Sequence, residues 1–415
     1  MFEFVAPRTS LRRLDRVTVI LFTVALVASF AQFGATTSLN DVARHFGQIS
    51  TGGSLRGDVG LSGSVLGLGL AAFRVASLGA LPLASLADRW GRTKVLRRTL
   101  VLGLLVTAAT ALSPGYWIFI LCFALAHPLL TTALTLVQVI TVELASTSLR
   151  IQRLVVMAAG AGIGAGLSAV LHGIIRGSDS FRWLFALAII PALVIAPLLR
   201  SVPEPVPRVA EAPLARLGAV PGDFLGRLAI VATMAFTIGV ITGPAGGFTF
   251  VYSEGILKMS PGIVATVVAC SGLAGMAGLL VGWRWARHTG RRWMVAIGVV
   301  MTASASTYAY SGGRVGFVVG YVLSVGAGGL LSPAMTALST EIFSHNFRAT
   351  AAGWITVAGV VGAVVGLGLF GWLGDVVHES GQAELRLPAL VTFLPFLPAL
   401  LLLVFLPESG GMELR

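Results

Sequence analysis

Leu86-Ala87-Asp88-Arg89-Trp90-Gly91-Arg92-Thr93-Lys94 stands between two apolar runs, and its core returns 199 residues later as Ala286-Arg287-His288-Thr289-Gly290-Arg291. Two further pairs keep nearly the same interval. Glu143 and Arg150 are matched by Glu341 and Arg348, 198 residues on, and Pro203-Glu204 is matched by Pro407-Glu408, 204 residues on. Each motif follows an apolar run of equivalent rank, so the chain reads as two related halves in parallel orientation. The join, 201–226, is rich in proline and charge and reads as a linker between a first half, 1–200, and a second half, 227–415.

The runs around these motifs are long enough to cross about 30 Å of hydrocarbon. They fall near 17–39, 61–86, 99–113, 116–142, 154–175 and 183–199, then near 228–252, 262–283, 293–310, 315–340, 351–373 and 387–406. Only 11% of the residues are charged and 56% are hydrophobic, whereas a soluble domain carries about 25% charged residues. Solid apolar runs of this length predict an all-α membrane protein of twelve helices, because a membrane β-barrel would alternate polar and apolar residues over strands of about ten. The first run is too long for the core of a secretory signal and is followed by more spans, so it reads as an uncleaved helix 1.

Of 29 Lys and Arg residues, 21 fall on the side holding both termini and the Asp88 loop, 7 fall on the other side, and Arg74 lies inside a span. By the positive-inside rule the termini are cytoplasmic and the chain sits in the cytoplasmic membrane. The net charge of +12 is spread over these membrane-flanking loops rather than gathered in a patch, so no nucleic-acid partner is expected. Cys122 and Cys270 both lie within apolar runs and leave no disulfide framework or metal-ligand spacing. With no metal cluster, nucleophile triad or phosphate loop at a credible spacing, neither a cofactor nor an enzymatic activity is expected. Gly160 to Gly166 has glycines like those of a dinucleotide loop, but no strand precedes it and it lies within a span, so helix packing is the better reading.

The motif Leu86 to Lys94 resembles the signature loop between helices 2 and 3 of the major facilitator superfamily. The Glu and Arg pairs after helices 4 and 10, Pro203-Glu204-Pro205 with Arg208, and Leu406-Pro407-Glu408-Ser409-Gly410-Gly411 are similar to its sugar-porter and metabolite–proton symporter branch. Departures exist: Arg287 stands where the second loop copy would carry an acid, helix 4 lacks the arginine of the drug-antiporter pattern, with Phe123 near that place, and helix 5 lacks that group's Gly-Pro element. The resemblance implies two six-helix bundles, with helices 1, 4, 7 and 10 lining a central cavity and 3, 6, 9 and 12 facing lipid.

Polar stripes agree with most of that arrangement. Helix 1 has Ser29, Gln32, Thr36 and Asn40, helix 4 has His127, Thr131, Thr135 and Gln138, and helix 10 has Tyr321, Ser324, Ser332 and Ser339 at helical spacing. Helix 9 fits less well, with Ser304, Ser306, Thr307 and Tyr308 near its outer end. Small residues four apart, such as Gly63 and Gly67, Gly160 and Gly164, Gly278 and Gly282, and Gly362 and Gly366, permit close helix approach. In the family such helices meet across the two halves.

Arg74 is the only formally charged residue deep in a span, which makes it the leading substrate-binding candidate, for an anionic group. A structural tie to carbonyls or to Glu143 is the alternative. Gln32, His127, Thr131, Gln138, Tyr321 and Ser324 complete the expected substrate site. Proton-coupling candidates are His127, Asp41 and Glu254 near the outer ends, and Glu143 near the inner. Asp88, Arg89, Gly91, Arg92, Glu143, Arg150, Arg287, Glu341 and Arg348 are expected to form a cytoplasmic gate. The expected function is secondary active transport by alternating access, moving a small polar or anionic metabolite with protons. Its partners would be that substrate and membrane lipid, and the chain would act as a monomer. A drug or metabolite efflux antiporter, or a nontransporting receptor or scaffold, are the alternatives.

Overall fold

The computed structural model describes residues 8–49, 55–146, 149–175, 177, 179–205, 222–311, 313–343, 347–379, 382–383 and 385–406. Among them twelve helical spans follow one another. The first six are helix 1, Arg8–Thr37; helix 2, Gly63–Ser77 with Ala80–Trp90; helix 3, Arg92–Thr110; helix 4, Tyr116–Leu144; helix 5, Arg150–Ile174; and helix 6, Ser180–Ala186 with Ile189–Leu198. The second six are helix 7, Gly222–Gly247; helix 8, Pro261–Thr289; helix 9, Arg291–Ala309; helix 10, Arg314–Glu341; helix 11, Arg348–Val376; and helix 12, Arg386–Phe393 with the tighter turns of Leu397–Phe405. Short helices Leu39–Phe46 and Leu55–Val59 join helices 1 and 2, a π turn, Val251–Ile256, ends helix 7, and His378–Glu379 pairs with Gln382–Ala383. Much of the expected linker 201–226, and the motif at 407–411, lie outside the described residues.

Ten spans are long and apolar enough to cross a membrane on composition alone. Helices 3 and 9 fall short of that measure. Each opens on basic residues, Arg92 and Lys94 in one and Arg291 and Arg292 in the other, which lower its mean hydropathy.

Three of the spans break for one reason. A proline has no N–H, so the carbonyl four residues before it loses its helical donor. Before Pro82 the Leu78 carbonyl is taken by Leu81 N at 3.1 Å, before Pro191 the Leu187 carbonyl by Ile190 N at 3.2 Å, and before Pro398 the Leu394 carbonyl by Leu397 N at 3.0 Å. The tighter i→i+3 turn bends helices 2, 6 and 12 at those points. Pro128, Pro244 and Pro333 instead lie inside unbroken helices.

Glycine sets how closely the helices approach, but mostly within each half. A Cβ on Gly164 would be driven into the Leu26 carbonyl of helix 1, one on Gly278 into the Gly326 carbonyl of helix 10, and one on Gly362 into the Phe236 carbonyl of helix 7. The helices that carry these pairs do meet across the halves as expected, 2 with 11 and 5 with 8, but most of the glycine pairs themselves face a helix of their own half. Of these pairs only that of helix 2 faces the other half, with Gly63 and Gly67 against Gly371 and Leu367 of helix 11. The carbonyl oxygens met by the glycines carry the close contacts, so which stripe crosses depends on helix rotation rather than on spacing.

The two halves touch through helices 2 and 11 and through helices 5 and 8. Their polar ties gather at the end opposite the basic loops. Asp375, near the end of helix 11, accepts from Gly63 N at 2.5 Å, Ser64 N at 2.8 Å and Ser64 Oγ at 2.5 Å, so a carboxylate of the second half caps helix 2 of the first. Lys258 pairs with Asp58 at 3.5 Å, again across the halves. That end of the molecule is closed.

Candidate functional site

Helices 1, 2, 4, 7 and 11 enclose a cavity of about 260 Å³. Helix 1 contributes Ser29, Gln32, Phe33 and Thr36, helix 2 Leu70, Phe73 and Arg74, helix 4 Phe123 and His127, helix 7 Gly243, Gly246 and Gly247, and helix 11 Leu367. Arg74 lies in the last turn of the first segment of helix 2, midway along the span, and its side chain is open to this space. Among the described residues no carboxylate pairs with its guanidinium, and Glu143 is engaged elsewhere.

A hydrogen-bond network orients the wall beside it. Gln32 Nε2 lies 2.8 Å from His127 Nδ1 and donates to Thr131 Oγ1 at 2.8 Å, while Thr131 Oγ1 donates to the His127 carbonyl at 2.9 Å. With Nδ1 accepting from the Gln32 amide, the ring is neutral and carries its proton on Nε2. Phe73 and Phe123 meet at 4.8 Å between ring centroids and Phe123 meets His127 at 5.9 Å, which fixes the plane of the imidazole. The result, among the described residues, is one cation without a paired carboxylate and one positioned N–H on apolar walls.

A second cavity of about 200 Å³ lies in the other half and shares Gly246 with the first. Tyr310, Phe317 and Tyr321 form an aromatic side, and Ser306 Oγ lies 2.8 Å from Ser324 Oγ. Tyr310 donates to the Ala245 carbonyl at 2.9 Å and so ties helix 9 to helix 7. Of the helix 9 residues singled out in the sequence, Ser306 faces this cavity, whereas Ser304 and Tyr308 are exposed.

The expected substrate residues therefore divide. Arg74, Gln32 and His127 line the first cavity, and Thr131 sits behind them in the same network. Tyr321 and Ser324 line the second. Gln138 lines neither; it is exposed on the same helix 4 face as His127 and Thr131, two turns nearer the basic end.

At the basic end, Arg92 reaches Asp88 Oδ1 with Nε at 3.1 Å and Nη2 at 2.9 Å, and its Nη1 pairs with Glu143. Gly91 has φ +96°, the left-handed region that glycine enters freely, and the Glu204 carboxylate lies 3.1 Å from where its Cβ would stand. Glu204 also accepts from Thr93 N at 3.2 Å, so an acid after helix 6 caps the start of helix 3. This network lies within the first half. Arg89 and Arg150 are exposed, Arg348 has a buried Nε without a hydrogen-bond partner, and the side chains of Arg287 and Glu341 lie outside the described residues.

At the opposite end Asp41 accepts from Ser180 Oγ, and Glu254 lies against His172. His172 drew no notice in the sequence, where it is one residue near the end of an apolar run. No short-range pattern links it to acids 131 residues before and 82 after.

The Major Facilitator Superfamily model matches residues 21–288 and 229–413. No curated protein sequence matches. Among solved structures, the inward-open xylose transporter XylE from E. coli superposes with a TM-score of 0.74 at 16% identity, covering 97% of this chain and 98% of that one. A bacterial homologue of the human lysosomal transporter Spinster, inward-facing and occupied, gives 0.70 at 13% identity, covering 96% and 95%. The human organic anion transporter MFSD10 gives 0.65 at 17% identity, covering 94% and 99%. With the family model spanning both halves of the twelve-helix fold, the chain belongs to the Major Facilitator Superfamily and is an integral membrane transporter, not an enzyme.

Proposed function

We propose that this secondary transporter moves a small anionic metabolite together with protons, by alternating access across the cytoplasmic membrane with both termini in the cytoplasm. The observation that carries the reading is Arg74, a guanidinium midway along a membrane helix, open to a central cavity and with no carboxylate paired to it among the described residues. A cation at that depth is costly without a counter-charge, and a substrate carboxylate or phosphate supplies one in the forked geometry that arginine favours. His127 offers a second donor, its ring held by Gln32. The cavity accommodates only a small molecule, and the neighbouring hydroxyl-bearing cavity accommodates an extension of it.

The excess of basic residues on one face supports the orientation. The closed opposite end then makes this an inward-facing arrangement, the state in which substrate leaves to or enters from the cytoplasm. The halves, 1–200 and 227–415, act as the two rocking bodies, and a monomer contains the whole path.

The test is thermal stabilisation of the purified protein by a panel of small organic anions, followed by uptake of the best binder into proteoliposomes. Arg74→Ala is expected to abolish stabilisation and uptake while the protein still folds, and Arg74→Lys to retain part of both. Equal stabilisation of wild type and Arg74→Ala by every anion refutes the reading, as does failure of both variants to fold, which would make Arg74 a structural tie.

A further inference from the structure

We propose that Asp41, His172 and Glu254 form a single proton-binding site that bridges the two halves at the closed end, so that opening this end is linked to loss of the proton. The proposal rests on the alternating-access reading above but not on the identity of the substrate.

Asp41 lies on the short helix after helix 1 and His172 near the end of helix 5, both in the first half. Glu254 comes from the second half, on the π turn that ends helix 7. That turn closes with Leu257 N donating to the Tyr252 carbonyl at 2.9 Å, five residues back. The extra residue in such a turn re-aims the side chains it carries, and Glu254 meets His172 from within it. His172 Nε2 is 3.1 Å from both Glu254 oxygens, and Nδ1 is 3.5 Å from Asp41 Oδ2. His172 is 2% exposed, Glu254 5% and Asn40 3%.

A buried carboxylate, Glu254, and a half-buried one, Asp41, around one buried imidazole leave an excess of negative charge that such a site tolerates only with a bound cation. Both acids are acceptors when ionised, so the ring satisfies both only as the imidazolium, which donates from each nitrogen. A neutral ring with its proton on Nε2 turns a bare Nδ1 lone pair towards Asp41. That nitrogen indeed has no hydrogen-bond partner, and neither does buried Asn40 Oδ1, whose amide lies 3.5 Å from Glu254. One proton on Nδ1 converts an acceptor–acceptor contact into a charge-assisted bond.

The nearest ligand atoms of the three residues lie within 4.8 Å of one another, so a divalent ion is the competing occupant. Geometry favours the proton. The two carboxylates reach different ring nitrogens, whereas a zinc-type ion needs both around one nitrogen at about 2.0–2.2 Å.

Neighbouring charges are engaged elsewhere or kept apart. Lys258 turns to Asp58 and the Gly255 carbonyl, and His45 turns to Asp179 and Arg182. Arg44 shares the helix of Asp41, and its Nε has no hydrogen-bond partner. Helix 6 supplies Ser180, which donates to Asp41, and the start of helix 8 lies against Gly173, the residue after His172, through Pro261, Gly262 and Ala265. Phe250 closes the remaining side, edge-on to His172 at 5.7 Å.

The sign follows from who supplies what. Separation of the halves at this end removes Glu254 and admits water, so the imidazolium is favoured more in the closed arrangement than in the open one. By linkage, acid holds this end shut and rising pH releases it. Protons taken up when this end is open thus favour its closure, the step that an inward-coupled carrier requires.

The experiment needs no substrate. Spin labels at Ile49→Cys and Val315→Cys, both exposed at the closed end on opposite halves, are read by pulsed EPR in lipid nanodiscs, with Cys122 and Cys270 replaced by serine. From about pH 5 to about pH 9 the short-distance fraction should fall along a one-proton curve, by up to about tenfold in closed:open ratio per pH unit. His172→Gln should flatten the curve. Should that variant not fold, Asp41→Asn and Glu254→Gln keep the ring and remove one partner each, and each should move the midpoint to lower pH. Wild-type pH dependence in His172→Gln, or unmoved midpoints in both other variants, overturns the proposal. So does micromolar Zn²⁺ that stabilises wild type and holds the short distance at every pH but leaves His172→Gln unaffected, since the site would then be a metal site. Failure of the Arg74 experiment leaves this result standing, and the reverse also holds.

Discussion

Replacing Asp375 by alanine removes the carboxylate with which helix 11 caps helix 2, and the loss should appear as a shift between two conformations rather than as unfolding. Three donors meet that carboxylate: the backbone N–H groups of Gly63 and Ser64 and the Ser64 hydroxyl, at 2.5–2.8 Å. The N–H groups at a helix start have no partner inside the helix, and the helix dipole favours negative charge there. Hydrogen bonds to a charged group contribute about 1.5–3 kcal/mol net. Asp375 is partly exposed and water replaces it when the end opens, so the tie as a whole is taken at about 2 kcal/mol. Because it exists only while this end is closed, its removal should lower the closed:open ratio about thirtyfold. The paired labels at residues 49 and 315 measure this directly, and Asp375→Asn, which keeps an acceptor without the charge, should fall between wild type and alanine. A closed population unchanged in Asp375→Ala, with the protein folded, would refute the reasoning.

Two other predictions concern glycine. Gly164→Val forces side-chain atoms into the Leu26 carbonyl of helix 1 and should destabilise the protein by at least about 1–3 kcal/mol, seen as a lower Tm in detergent. Gly162→Ala, two residues away with nothing within 4 Å, is the control and should hold or raise Tm. Gly91→Ala places a Cβ at φ +96° and against the Glu204 carboxylate; it should cost about 1–2 kcal/mol and slow transport, as measured by Tm and initial uptake rate.

Much of the candidate site was legible in the residues themselves. Arg74 declared itself because a lone charge in an apolar run is rare, and Gln32, His127 and Thr131 because they recur at helical spacing on helices 1 and 4. Gln138 obeys the same spacing, but a stripe continues past the end of a cavity, and nothing in the periodicity marks where the cavity stops. Tyr310 carries no signal in the sequence, yet its hydroxyl ties helix 9 to the Ala245 carbonyl.

Hydropathy and periodicity are local properties, so twelve spans, two related halves and the polar faces of single helices could be read from the chain alone. Contacts between distant segments are not local. Which glycine stripe crosses the halves, which acid caps helix 2, and why His172 lies between Asp41 and Glu254 were decided by helix rotation and by the closure of one end. Those three residues lie far apart in sequence, and only the packed arrangement of the two bundles brings their charges together.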